Sequence, residues 1–328
     1  MEDKTVMNKL MAVAVMLGLT GGAYAAEAAN LEGSRSGAEL KRLAGQRGAD
    51  LSVPAVPPAA AERAAAAERA AVLAGVLNRA KILNWTAGSA TAAEQLRNYL
   101  LSPRAAAGLS GGADASAKAD RFAAIDAIWA LGELRDRASI PVLEGMLPSA
   151  DHAVRLNLLA ALKKLDPEKR GADRRLRDEV YTSIPVGDIL FREGNFGLLS
   201  PDLPVGHTAA FTGMENGEPM MIHAVSEGVT KDTMDAFIAG HPYYGNRTTA
   251  VPPTPEQRVA IVSWLLKQLD KPYDFWHSTQ KGPDKFDCVG LTEAAYESVG
   301  LNPTPDELEE GPGWPLEPYE QYDNTVAD

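Results

Sequence analysis

The stretch KFDCVGLTEAAYESVGLNP, residues 285–303, holds the only cysteine of the chain, Cys288. Asp287 offers a side-chain acceptor suited to an N-cap, Leu291, Ala295 and Val299 recur at helical spacing, and Gly300 is a natural stop. The stretch therefore predicts a helix whose first residue is Cys288. First-turn N–H groups have no partner inside a helix, and the helix dipole adds partial positive charge there. Both favour thiolate over thiol, so this position predicts a lowered thiol pKa. The same N–H groups suit the oxyanion of a tetrahedral intermediate. A cysteine used in this way needs an imidazole within reach.

Upstream lie His207, His223 and His241, and close by His277. "VGDILF" (186–191), "GHTAAFTG" (206–213) and "PMMIHAVS" (219–226) read as strands, with "MENGEP" (214–219) as a hairpin loop. His207 and His223 then stand on neighbouring strands. Their separation of 16 residues is even, which predicts that both face one side of the sheet. One can serve as base and the other can orient it, by nucleophile–base–orienter logic. Glu227 is a second candidate for the orienting role. His241 ("GHPYY") and His277 ("FWHST") fall in predicted loops, as surface or substrate-lining residues. His152 reads as a surface residue at a helix start. No pair has the short local spacing of a zinc site, so neither metal nor cofactor is expected.

"KPYDFWHSTQKGPDKFDCVGLTEAAYESVGL" (271–301) resembles the nucleophile segment of NlpC-type papain-like cysteine hydrolases, and "PVGDILF…GHTAAFTG…MMIHAVSEGV" resembles that family's histidine strands. The resemblance implies Cys288 as nucleophile, His207 as base and His223 as orienting residue. It also implies Tyr273, Asp287 and Val289 as substrate-binding positions. The histidine strands precede the cysteine, which resembles the circularly permuted YiiX/YebB-like branch and relatives of lecithin–retinol acyltransferase. The common family has Ser where this chain has Val289, so the hydrogen bond that helps receive a stem peptide's amine is missing.

The amino-terminal part differs in texture. "MNKLMAVAVMLGLTGGAYAAEA" (7–28) pairs Lys9 with a short apolar run and a small-residue "AYA" site. It reads as a cleaved secretory signal over 1–25, with no stable membrane span afterwards. Residues 26–57 read as a linker. Residues 58–180 read as helical, and 122–165 resemble a HEAT-type repeat: Phe122, Ile125, Ile128, Trp129 and Leu131 form one stripe, "RDRASIP" a turn, and Asp151 caps the last helix. Such a block suits a protein partner.

The 328 residues are 45% hydrophobic and 23% charged, with net charge −12. An acidic surface repels phosphate backbones, so nucleic acid is not an expected partner. No Lys or Arg follows Lys285, while residues 306–328 carry eight carboxylates. That end reads as a solvated acidic tail.

The expected architecture is α+β: a permuted papain-like domain over 181–305 with an antiparallel sheet and a nucleophile helix, preceded by an all-α HEAT-like region. The expected function is an exported, periplasmic or envelope-associated cysteine amidase or peptidase acting on peptidoglycan stem peptides. The alternatives are a lipid-directed thiol acyltransferase or hydrolase on the same site, and a non-catalytic scaffold working through the helical region.

Overall fold

The computed structural model describes residues 74–77, 91–110, 115–168, 174–194, 205–274, 281–305 and 316–327. The expected signal segment, the linker and His277 lie outside them. Residues 68–328 form one compact unit. Among the described residues no helix is long and apolar enough to cross a membrane.

Among the described residues the segment from 91 to 183 is helical: α1 (Ala92–Leu100), α2 (Pro103–Leu109), α3 (Ala115–Glu133), α4 (Ile140–Met146), α5 (His152–Leu165) and α6 (Arg174–Ser183). The caps are the ones the side chains dictate. Thr91, Ser102 and Asp151 each accept a hydrogen bond from a first-turn N–H, and Pro103 occupies the first position of α2. Between α3 and α4, Arg135 adopts a left-handed backbone (φ 55°) that reverses the chain.

Next comes a mixed segment: β1 (Ile189–Glu193), β2 (Val205–Glu215), β3 (Glu218–Val225), β4 (Gly228–Thr233), α7 (Met234–Ala239), β5 (Tyr243–Thr248), α8 (Pro255–Leu266), α9 (Cys288–Glu297), α10 (Pro318–Asn324) and β6 (Val326–Ala327). Among the described residues the strands form one antiparallel sheet in the order β4-β3-β2-β1-β5-β6. Together with the helices around it, this is the expected α+β class.

The β2–β3 hairpin decides the face of the histidines. Its turn is Asn216-Gly217, both with positive φ (51° and 81°), and Glu215 pairs with Glu218. A two-residue turn pairs residues an odd number apart, so a regular ladder would send His207 and His223 to opposite faces. The expectation from even spacing therefore fails for a plain hairpin. A β-bulge rescues it: Phe211 pairs with Met221 but Gly213 with Met220, leaving Thr212 as an extra residue. Gly213 sits at φ 104°, where a side chain would be strained. Beyond the bulge Ala210 pairs with Ile222, and the two histidines share a face.

The sheet is buried on both sides. Ile189, Phe191, Ala210, Ile222 and Ala224 pack into one core with Ile261 of α8, Leu291, Ala295 and Tyr296 of α9, and Ile125, Ile128 and Leu158 of the helical half. Leu190, Ala209, Phe211 and Met221 face the other way, toward Tyr181, Phe237 and Ile238. Asn157 of α5 clasps β5: its Nδ2 donates to the Tyr243 carbonyl (2.6 Å) and its Oδ1 accepts from the Tyr243 N–H (3.0 Å). The Tyr244 hydroxyl donates to buried Asp126 of α3 at 2.8 Å.

The acidic end is not wholly a solvated tail. Beyond residue 315 it folds back as α10 and β6, and β6 pairs with β5. Tyr322 packs edge-on against Phe191, with centroids 5.1 Å apart. Gln321 is fully buried; its Oε1 accepts from the Thr292 hydroxyl (3.0 Å) and its Nε2 donates to Glu293 (2.8 Å). The acidic composition predicts solvent exposure, but the aromatic and amide side chains among the carboxylates have a buried polar network to join.

Candidate active site

Cys288 opens α9 as expected. Asp287 is its N-cap, with Oδ1 accepting the Gly290 N–H at 2.6 Å. Asp287 is 2% exposed and serves the helix rather than an open pocket. The segment before it is locked: the Asp274 N–H donates to the Phe286 carbonyl (2.8 Å), and Lys285 pairs with fully buried Asp274 (2.9 Å). The same segment carries Tyr273. Its phenol pKa is raised by burial first, then by the nearby Cys288 and Asp287.

Thr208 joins the nucleophile helix to the histidine hairpin. Its hydroxyl donates to the Cys288 carbonyl at 2.8 Å. Successive strand residues point to opposite sides, so Thr208 turns toward α9 while His207 turns toward Phe237, 5.9 Å away between ring centroids. His207 and His223 thus lie on the Phe237 side of the sheet and α9, which Cys288 opens, on the other, so the expected cysteine–histidine pair is not brought together. Among the described residues no direct hydrogen bond joins the Cys288 sulfur to His207.

The histidines themselves are in contact. Nε2 of His207 lies 3.0 Å from Nδ1 of His223, and Nε2 of His223 lies 2.9 Å from Oδ2 of Asp232. The Thr230 hydroxyl donates to the same Oδ2 at 3.2 Å. Nδ1 of His207 takes no hydrogen bond among the described residues. Glu227, the other orienting candidate, instead accepts from the Ser226 hydroxyl at 2.7 Å. Asp232 was not found by sequence reasoning. The available signal was the alternation of Thr230 and Asp232 in "GVTKDT", directly after the histidine strand.

His241 is not a loop-surface residue. It is 7% exposed, and its Nδ1 lies 3.3 Å from the fully buried Glu193 carboxylate. Its loop is covered because Tyr243 and Tyr244, two and three residues on, enter the core. His152 lies at the start of α5 beside the Ser183 hydroxyl (3.3 Å), as its position suggested. Among the described residues no group of three or more His, Cys, Asp and Glu side chains is arranged to hold a metal ion.

The electrostatics correct the expectation of a lowered thiol pKa. Burial pushes Cys288 up to about 12, Asp287 adds to the rise, and hydrogen bonds from Thr208 oppose it. Desolvation of a thiolate outweighs what the helix start supplies. His207 is held well below the usual histidine range, by burial first and then by Arg192, His223 and His241. His223 is lowered by burial, against the hydrogen bond to Asp232. At neutral pH the resting site holds a neutral thiol and two neutral imidazoles. Cys288 and Val289 form a small apolar cluster with Leu316, which leads into α10.

Residues 183–310 match the family described as permuted papain-like amidase enzyme, YaeF/YiiX, C92 family. The matched span includes Cys288, His207, His223 and Asp232. On this match the domain is a papain-like hydrolase of the cysteine peptidase or amidase class, with its substrate open. A solved structure, that of metalloprotein yiiX from Escherichia coli O157:H7, is 23% identical and covers 44% of this chain and 96% of its own, with a TM-score of 0.34. No curated protein matches the chain.

Proposed function

We propose that the protein is an exported amidase that cleaves amide bonds in peptidoglycan stem peptides through Cys288. The observation that carries the reading is Cys288 at the first position of α9, inside the span that matches the amidase family. His207 is held through Nε2 by His223 and makes no Nδ1 hydrogen bond among the described residues, while the next residue, Thr208, grips the Cys288 carbonyl from the other side of the strand. In the proposed reaction the neutral thiol attacks the scissile carbonyl and gives its proton to Nδ1 of His207, which must first turn from the Phe237 side toward Cys288. The Cys288 N–H, at the start of α9, donates to the oxyanion. Collapse of the intermediate breaks the C–N bond, and His207 returns the proton to the leaving amine. Water then attacks the thioester, again with His207 as base, and frees the acid. His223 orients His207 throughout. Export rests on the leader-like segment over 1–25, and the HEAT-like reading of the helical half, with its protein partner, rests on sequence pattern alone.

The test is hydrolysis of purified muropeptides by the mature protein. Release of new amines that disappears in Cys288→Ala supports the reading; equal release by both proteins overturns it.

A second reading places a lipid acyl group at the same site. It is favoured by the apolar cluster of Cys288, Val289 and Leu316, which offers the substrate hydrocarbon where a stem-peptide enzyme offers a hydroxyl. A thioester on Cys288 formed from phospholipid and not from muropeptide would decide for it.

A further inference from the structure

We propose that Asp232 is a positioning residue for this site: through His223 it fixes the tautomer of both imidazoles, so that His207 carries its proton on Nε2 and a lone pair on Nδ1. The inference rests on the amidase reading for its purpose, but not for its geometry.

The argument is a count of donors along three neighbouring strands. An ionised carboxylate only accepts hydrogen bonds, so the 2.9 Å contact obliges His223 to donate from Nε2. A neutral imidazole has one N–H, so Nδ1 of His223 must accept. Its partner at 3.0 Å is Nε2 of His207, which must therefore donate. That leaves Nδ1 of His207 with the lone pair a base requires. The chain of inference holds while both rings are neutral. Burial and the nearby Arg192 favour that state for both, and His241 adds to it at His207. Glu227 and Asp232 act the other way on His223. The His223 hydrogen bond also holds Asp232 below the usual carboxylate range, so it is ionised at neutral pH.

The placement of Asp232 suits this task. On β4 the direct partner of His223 is Thr230, so Asp232 is the diagonal neighbour on the same face. The Thr230 hydroxyl steadies the oxygen that His223 uses. The side chain is 48% exposed, so the carboxylate keeps part of its hydration and its removal leaves no cavity in the core.

The experiment is nitrogen-15 NMR of histidine-labelled protein at pH 7, which reports the protonated nitrogen of each ring. The wild type is expected to show the Nε2–H form at both His207 and His223. Asp232→Ala is expected to give mixed tautomers at both rings, with an unchanged circular dichroism spectrum. Asp232→Glu, which keeps the acceptor, is expected to recover the Nε2–H form at both. An Nδ1–H form at either ring in the wild type, or tautomers unaffected by Asp232→Ala, overturns the proposal. If the tautomers follow Asp232 but no amide is hydrolysed, the amidase reading falls and this one stands.

Discussion

The Nε2 of His207 and the Nδ1 of His223 lie 3.0 Å apart because Thr212 is an extra residue in their hairpin. The turn alone would put the two rings on opposite faces of the sheet. Deleting Thr212 should therefore leave a hairpin with its Asn-Gly turn intact but turn His207 away from His223. The expected outcome is a folded protein by circular dichroism in which Cys288-dependent hydrolysis is abolished. A deletion variant that keeps its activity would show that the bulge does not set the face.

The thiol should be sluggish at rest. A free cysteine titrates near pH ~8.5, so a few per cent is thiolate at neutral pH. Cys288, pushed up to about 12, has far less. Alkylation of the folded protein at pH 7.5 should be slower than that of a cysteine peptide, and should accelerate in denaturant. Fast alkylation with a midpoint below pH 8 would mean that an imidazolium–thiolate pair forms without substrate.

Thr208→Val keeps the shape of the side chain and removes the hydroxyl that holds the Cys288 carbonyl. A buried hydrogen bond of this kind is worth about 1 kcal/mol, and the carbonyl left without it adds a desolvation cost. Urea unfolding should show a loss of roughly 1–3 kcal/mol. Because Thr208 also opposes the rise in the thiol pKa, alkylation of Cys288 should slow further.

Stability should fall with acid in a window set by the histidines. Both His207 and His223 are lowered in the folded state, while an unfolded histidine titrates near ~6.5. Below that pH the unfolded chain binds protons the folded chain refuses, so stability present above ~6.5 is lost on acidification. Each ring contributes up to about 1.4 kcal/mol per pH unit. Urea midpoints between pH 7.5 and 5.5 should drop, and His207→Asn should flatten the slope. For the same reason, hydrolysis should persist below pH 6.5, since His207 stays neutral there.

Asn157→Ala should be among the costlier changes outside the site. It leaves the Tyr243 N–H and carbonyl without their partner on α5. A loss of about 2–4 kcal/mol in urea unfolding is expected from two orphaned buried groups. A loss under about 0.5 kcal/mol would show that water replaces the amide.

The residues that announced themselves in the sequence are those whose signal is local. Asp287 caps the helix that begins at the next residue, and "MENGEP" (214–219) holds the turn of the histidine hairpin. Helix starts and hairpin tips obey rules that span a few residues, so Cys288 could be placed at a helix start, and His207 and His223 on paired strands, before any fold was known. The tertiary structure alone decided four things: the bulge that turns both histidines to one face, the recruitment of Asp232, the burial that raises the thiol, and the return of residues 316–327 to the core. Each depends on what lies across the ladder or beneath the side chain, supplied by segments far away in the chain. Spacing along one strand cannot show an extra residue in the ladder, and composition cannot show that a run of carboxylates carries the Gln and Tyr that a buried network accepts.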